Sequence, residues 1–158
     1  MTAWVFSIVN HKSEIGNMSL FLAFVLHPVT LLAVGGGAGA NARYWLGHYI
    51  AEWQLRRFER VEFPWATLLI NVSGSVVLGF VAAAWLHHPD PARRNWYLLL
   101  GTGFCGGFTT FSTFSYEALK LMQDGKPWAA AGYVVGSVAA GLLGVWAAVR
   151  IAGDRPAG

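Results

Sequence analysis

The sequence predicts an all-α integral membrane protein with four spanning helices, the third of them broken at Gly106-Gly107. Three observations carry this expectation. Of 158 residues, 55% are hydrophobic and only 12% charged, with eight Trp and one Cys, whereas a soluble domain holds about 25% charged residues. Four apolar stretches, near residues 29–50, 65–86, 96–122 and 128–151, reach the roughly 20 residues that cross about 30 Å of hydrocarbon at about 1.5 Å per residue. Within the third, the run Gly106-Gly107-Phe108-Thr109-Thr110-Phe111-Ser112-Thr113-Phe114 sets a glycine pair and many hydroxyls where a span should be uniformly apolar. A bilayer tolerates irregular backbone and polar side chains only where they are buried in protein or line a wet path.

Taken in order, residues 1–28 form an N-terminal extension of unclear role. Trp4 to Val9 is apolar but is cut off by Asn10, His11, Lys12, Ser13 and Glu14, an order opposite to that of a secretory signal. Met18 offers a second start ahead of Leu20 to Leu26, so residues 1–17 are expected to be dispensable or a start-site artefact; truncation at Met18 tests this. Residues 29–151 form a single four-helix domain and 152–158 a tail. The first span carries Gly35-x3-Gly39, and the second carries Asn71, Ser75 and Gly79 at four-residue spacing, hence on one face. Trp96 to Met122 is longer than a straight crossing needs and contains Gly101, Gly103, Gly106 and Gly107. It is expected to form two half-helices around a break that frees backbone groups at membrane depth; the alternative is that the glycines only permit close packing. The fourth span repeats Gly132-x3-Gly136-x3-Ala140-x3-Gly144, suited to contacts within the chain or between chains. Pro64, Pro91 and Pro127 sit near span starts, where a missing N–H costs least.

Charge gives no orientation. With both termini on one side, that side holds Lys12, Arg93, Arg94, Arg150 and Arg155, and the other holds Arg56, Arg57, Arg60, Lys120 and Lys126. Lys and Arg normally accumulate on the cytoplasmic side. A chain without that bias can insert both ways, and opposite copies can pair as an antiparallel homodimer.

Around the break, Thr109, Thr110, Ser112, Thr113 and Ser115 interleave with Phe111 and Phe114. A phenyl ring has a positive edge, so rings turned edge-on to a pore attract an anion without a full charge that would trap it. Hydroxyls and the Asn71 amide would replace its hydration shell. Packing aromatics with hydroxyls bonded back to their own helix fit the same residues equally well.

Other classes fare worse. A proton-coupled multidrug transporter of similar size needs a carboxylate deep in a span, and only Glu117 approaches the interior. A non-conducting assembly subunit accounts for the small-residue faces but not for the hydroxyl run. His87, His88 and Asp90 flank Pro89 in an interfacial loop, Cys105 stands alone, and no phosphate-binding loop appears, so no enzyme is indicated. The formal charge of +3 gathers in no cluster larger than Arg56, Arg57 and Arg60, which suits lipid headgroups rather than nucleic acid.

The run Gly103 to Ser115 resembles the signature of the Fluc/CrcB family of fluoride channels. Gly35 to Tyr44 resembles that family's first span and Phe63 to Gly74 its second, so the likeness covers about residues 30–150. It implies an antiparallel, dual-topology homodimer with two pores in the bacterial inner membrane, exporting cytoplasmic fluoride passively without ATP or proton coupling. By position, Phe111 and Phe114 would meet fluoride with their edges, Asn71 would donate along the path, and Ser112, Thr113, Tyr133 and Ser137 would line it. Gly141 stands where some relatives have a further hydroxyl. Arg43 and Glu117 would be vestibule residues, Arg43 attracting anions. The family also holds a structural Na+ at the dimer centre, which here would rest on the backbone carbonyls of Gly106 and Thr109.

Overall fold

The computed structural model describes residues 18–59, 63–86 and 88–153 and contains helices, with no strand among the described residues. Helix α1 (Met18–Val25) meets α2 (Pro28–Phe58) at a bend of 54°. Then follow α3 (Trp65–Trp85), α4 (Pro91–Trp96), a π-helical segment (Tyr97–Cys105), α5 (Gly106–Phe108), α6 (Phe111–Gln123) and α7 (Pro127–Gly153). Residues 1–17, with Lys12, lie outside the described residues, as do Arg60, His87 and the tail beyond Gly153, with Arg155.

Local chemistry sets the ends. Pro28 opens α2, where the His27 Nδ1 accepts the Val29 N–H at 3.3 Å. The helix stops at Glu59, which takes a left-handed φ of 60°. At 31 residues α2 outruns the expected span. Its final turns are stabilised by polar contacts: Arg56 Nη2 donates to Glu52 at 2.7 Å, and the buried Gln54 donates to the Phe63 carbonyl at 2.9 Å. Asp90 caps α4 through the Ala92 N–H at 2.9 Å, just ahead of Pro91. α3 and α7 are each long and apolar enough to cross a membrane, and the bent α1–α2 pair qualifies as a third span when taken together. The molecule is thus an all-α membrane protein.

Packing divides into two pairs: α3 lies against α7, and α2 lies against the stretch from the π-helical segment through α5. The second pair is in backbone contact. A methyl group on Gly35 would strike the Leu99 carbonyl, one on Gly39 the Phe104 carbonyl, and one on Gly107 the Gly36 carbonyl. The Gly35-x3-Gly39 pattern therefore serves a contact within the chain. On α7, Gly144 meets Val76, while the ideal Cβ positions of Gly132 and Gly136 have nothing within 4 Å. A small core of Phe114, Leu121, Ala130 and Tyr133 joins α6 to α7.

The helix break lies elsewhere than expected. Gly106 and Gly107 stay helical, and the interruption falls at Thr109 (φ −80°, ψ 162°) and Thr110 (φ −150°, ψ 119°). Two causes shift it. Backbone contact with Gly36 holds Gly107 in the helix, and a side chain from α3 captures the Thr110 peptide groups, as described next.

Candidate functional site at the helix break

Asn71 projects from α3 and clamps the break. Its Oδ1 accepts the Thr110 N–H at 2.8 Å, and its Nδ2 donates to the Thr110 carbonyl at 3.1 Å. These two bonds replace the helical partners that Thr110 would otherwise have, and so make an extended residue tolerable in an apolar setting. Arg43 of α2 donates from Nη1 to the Thr109 carbonyl at 3.1 Å. Thr110 then caps α6, its Oγ1 accepting the Thr113 N–H at 3.3 Å.

This rearrangement frees the Gly106 carbonyl from the helix ladder and passes the Thr109 carbonyl to Arg43. In an uninterrupted helix the Thr110 N–H would donate to Gly106 and the Thr113 N–H to Thr109; here both go to side-chain oxygens. The Gly106 Cβ position has nothing within 4 Å. Two backbone oxygens lie near the C-terminal end of a half-helix, Gly106 with open space beside it and Thr109 with one lone pair beyond its bond to Arg43, a donor set that suits a hard cation.

Beside the break lies a groove of about 510 Å³ whose lining includes Asn71, Ser75, Thr102, Gly106, Thr110 and Phe111. Phe111 is 80% exposed and Phe114 is 9% exposed, with ring centroids 6.0 Å apart at 43°. The expected ring pair is therefore adjacent but unequal. Phe111 fronts the groove, whereas Phe114 sits in the core against Tyr133, centroids 5.0 Å apart. Ser112 and Thr113 are exposed on the first turn of α6, each within reach of the Thr110 hydroxyl, at 3.3 and 3.1 Å.

A second polar cluster forms one turn deeper on α6. Glu117 accepts the Tyr133 hydroxyl at 2.8 Å on one carboxylate oxygen and the Thr67 hydroxyl at 2.9 Å on the other. The Phe63 ring meets Tyr133 edge to face at 5.5 Å and 81°. Ser137, one turn along α7 from Tyr133, is buried, and its Oγ has no hydrogen-bond partner among the described residues. Such an orphan needs an external partner to offset its desolvation.

The structure gathers Arg43, Gly106, Thr109, Asn71 and Phe111 around the break, and Phe114, Glu117, Tyr133 and Ser137 along the α6–α7 contact. Glu117 and Arg43, expected in vestibules, both make hydrogen bonds inside the helix assembly. Gly141 faces Ser75, its ideal Cβ 3.4 Å from Oγ. Sequence reasoning missed Thr67, although Thr67, Asn71 and Ser75 continue one four-residue stripe on α3 and could have revealed it. It also missed Thr102 and Tyr97, which line the groove from the π-helical side.

The family profile described as "CrcB-like protein, Camphor Resistance (CrcB)" matches residues 30–149. The chain is 41% identical over 123 residues to a protein named Fluoride-specific ion channel FluC 2 from Rhodococcus jostii strain RHA1, covering 78% of this chain and 96% of the relative. It is 48% identical over 120 residues to Fluoride-specific ion channel FluC from Paramagnetospirillum magneticum, covering 73% and 88% of the two chains. A relative of the same name from Gloeobacter violaceus is 46% identical over 119 residues, covering 74% and 89%. The match spans the helices that build the break, the clamp and the groove, and on it the chain belongs to the CrcB family.

Proposed function

We propose that this protein is a fluoride channel of the bacterial inner membrane that lets accumulated cytoplasmic fluoride leave passively. The observation that carries the reading is the clamped break at Thr109–Thr110, with the Phe111 ring exposed beside it and the orphan Ser137 hydroxyl on the neighbouring track. Relatives across most of the chain are named as fluoride-specific ion channels.

The residues divide the work by chemistry. Fluoride is small and accepts strong hydrogen bonds, so it exchanges water for hydroxyl donors and ring edges. Phe111 would offer an edge at the groove, and Ser137 and Thr113 would supply hydroxyl donors. Phe114, held between Phe111 and Tyr133, stands where the two regions meet, and its edge would serve the anion there. Glu117 orients the hydroxyls of Thr67 and Tyr133, and this leaves its carboxylate charge engaged rather than open to the path. Asn71 keeps the break open and retains one amide hydrogen for the groove.

The working unit in this reading is an antiparallel homodimer, four spans per subunit, with the α4-to-α6 stretch as the third span and two pores in all. Balanced Lys and Arg counts and the open faces at Gly132 and Gly136 support it. A structural Na+ at the dimer centre would rest on the Gly106 and Thr109 carbonyls of each subunit, where it supplies positive charge against half-helix C-terminal ends.

Fluoride efflux from liposomes reconstituted with the full chain tests the function. Rapid fluoride release, with chloride retained and with release abolished by Phe111→Ile, is the expected result. Retention of fluoride by vesicles that contain folded protein overturns it. Crosslinking of reconstituted protein checks the dimer: only monomer at low protein-to-lipid ratio removes that part.

A further inference from the structure

An anion that loses water needs donors, and a hydroxyl that already donates its single hydrogen shows the anion only lone pairs. This distinction sorts the polar groups of the groove. Ser75 donates to the Asn71 carbonyl at 2.8 Å, Thr109 to the Cys105 carbonyl at 2.8 Å, and Thr110 to Thr113 Oγ1 at 3.1 Å. Their hydrogens are committed to protein acceptors and are not offered to the groove. The remaining groove hydroxyls are Thr102 and Tyr97, and neither makes a hydrogen bond among the described residues.

The backbone explains why these two face the same space. They lie five residues apart within the π-helical segment Tyr97–Cys105, and its i→i+5 bonding brings residues five apart onto one turn. In an α-helix the same spacing would send them to different faces. Gly101 completes the arrangement: an ideal Cβ there would lie 2.9 Å from Tyr97 Cε2, so the absent side chain lets the Tyr97 ring fold along the helix toward the groove. Such π-helical turns concentrate at functional sites because they re-aim side chains at the cost of weaker helix geometry.

We propose that the Thr102 and Tyr97 hydroxyls form a binding subsite for a small, hard anion on the approach to the break, where the anion exchanges water for two fixed donors. The subsite rests on the fluoride-channel reading and extends its path along the π-helical half, away from the α6–α7 track. Occupancy places the anion next to Phe111 and the spare amide hydrogen of Asn71, which line the same groove.

Reconstituted efflux with Thr102→Val, Tyr97→Phe and the double variant tests this. Each single change is expected to slow fluoride release by about tenfold, as loss of one hydrogen bond to a charged group implies, and the double change by more. Thr102→Ser, which keeps the donor, should recover most of the rate lost in Thr102→Val. Ser73→Ala serves as control, because the Ser73 hydroxyl bonds the Ile70 carbonyl and does not line the groove. Single variants that conduct within twofold of the unaltered protein overturn the subsite. An equal loss in Ser73→Ala overturns it too, since the effect would then not depend on groove donors. If the unaltered protein releases no fluoride, the channel reading itself fails, a result distinct from both. Tyr97→Phe, which removes only an oxygen, keeps the test decisive should Thr102→Val fail to fold.

Discussion

The two halves of the interrupted stretch between α4 and α6 are built on opposite principles. The half from Tyr97 to Phe108 meets α2 through backbone, with Gly35, Gly39 and Gly107 each too close to a carbonyl for any side chain. The half from Phe111 to Gln123 meets α7 through side chains: Phe114 on Tyr133, and Glu117 bonded to the Tyr133 hydroxyl. The first half is therefore intolerant of added atoms and leaves its hydroxyls free. The second half tolerates shape change but uses its polar groups to hold itself together. Close backbone approach is the packing solution where no hydrophobic drive separates helix from lipid, and it fixes the first half as the rigid wall of the groove.

Alanine substitution breaks the comparison most directly. Gly39→Ala and Gly107→Ala should destabilise the detergent-solubilised protein by about 3 kcal/mol or prevent assembly, because the colliding atoms are backbone and cannot move aside. Gly37→Ala, with open space around its Cβ, should leave the melting temperature unchanged or slightly raised. Thermal unfolding followed by tryptophan fluorescence distinguishes them; equal effects at Gly37 and Gly39 would contradict the backbone contact.

Next in size is the clamp between the halves. Asn71→Leu leaves the Thr110 N–H and carbonyl without their partners, a cost of about 2 kcal/mol, and should reduce fluoride efflux severely. Hydrogen exchange at Thr110 should accelerate in step. Unchanged exchange would show that something else holds the break.

The side-chain half should yield a smaller effect. Tyr133→Phe removes one of the two donors to Glu117, costing about 0.5–1.5 kcal/mol, and should slow efflux several-fold while the elution volume on size exclusion stays unchanged. Smallest is Arg43→Lys, which loses the bond to the Thr109 carbonyl but keeps the charge. Its expected cost is about 0.5–1 kcal/mol, with conduction at low anion concentration nearly retained. A loss as large as that of Asn71→Leu would make Arg43 a second clamp.

Composition and apolar run length by themselves determined that this is an all-α membrane protein, since a bilayer admits few other solutions for chains so poor in charge. The hydroxyl and phenyl run likewise marked the candidate site, because such residues are anomalous in a span. The spans expected at 65–86 and 128–151 appear as Trp65–Trp85 and Pro127–Gly153, where uninterrupted apolar sequence leaves little choice. The position of the break was decided only by tertiary contact: Gly106 and Gly107 are locally the weakest helix formers, yet Gly36 holds Gly107 in the helix and Asn71 opens the chain at Thr110 instead. The pairing of Thr67 with Glu117 and the shared face of Tyr97 and Thr102 depended in the same way on neighbours and on a π-helical turn. Local propensity is worth about 1 kcal/mol at a glycine. A backbone collision or a pair of unmet buried hydrogen bonds is worth more, and so the assembled helices, not the segment alone, set where the chain bends and which donors remain free.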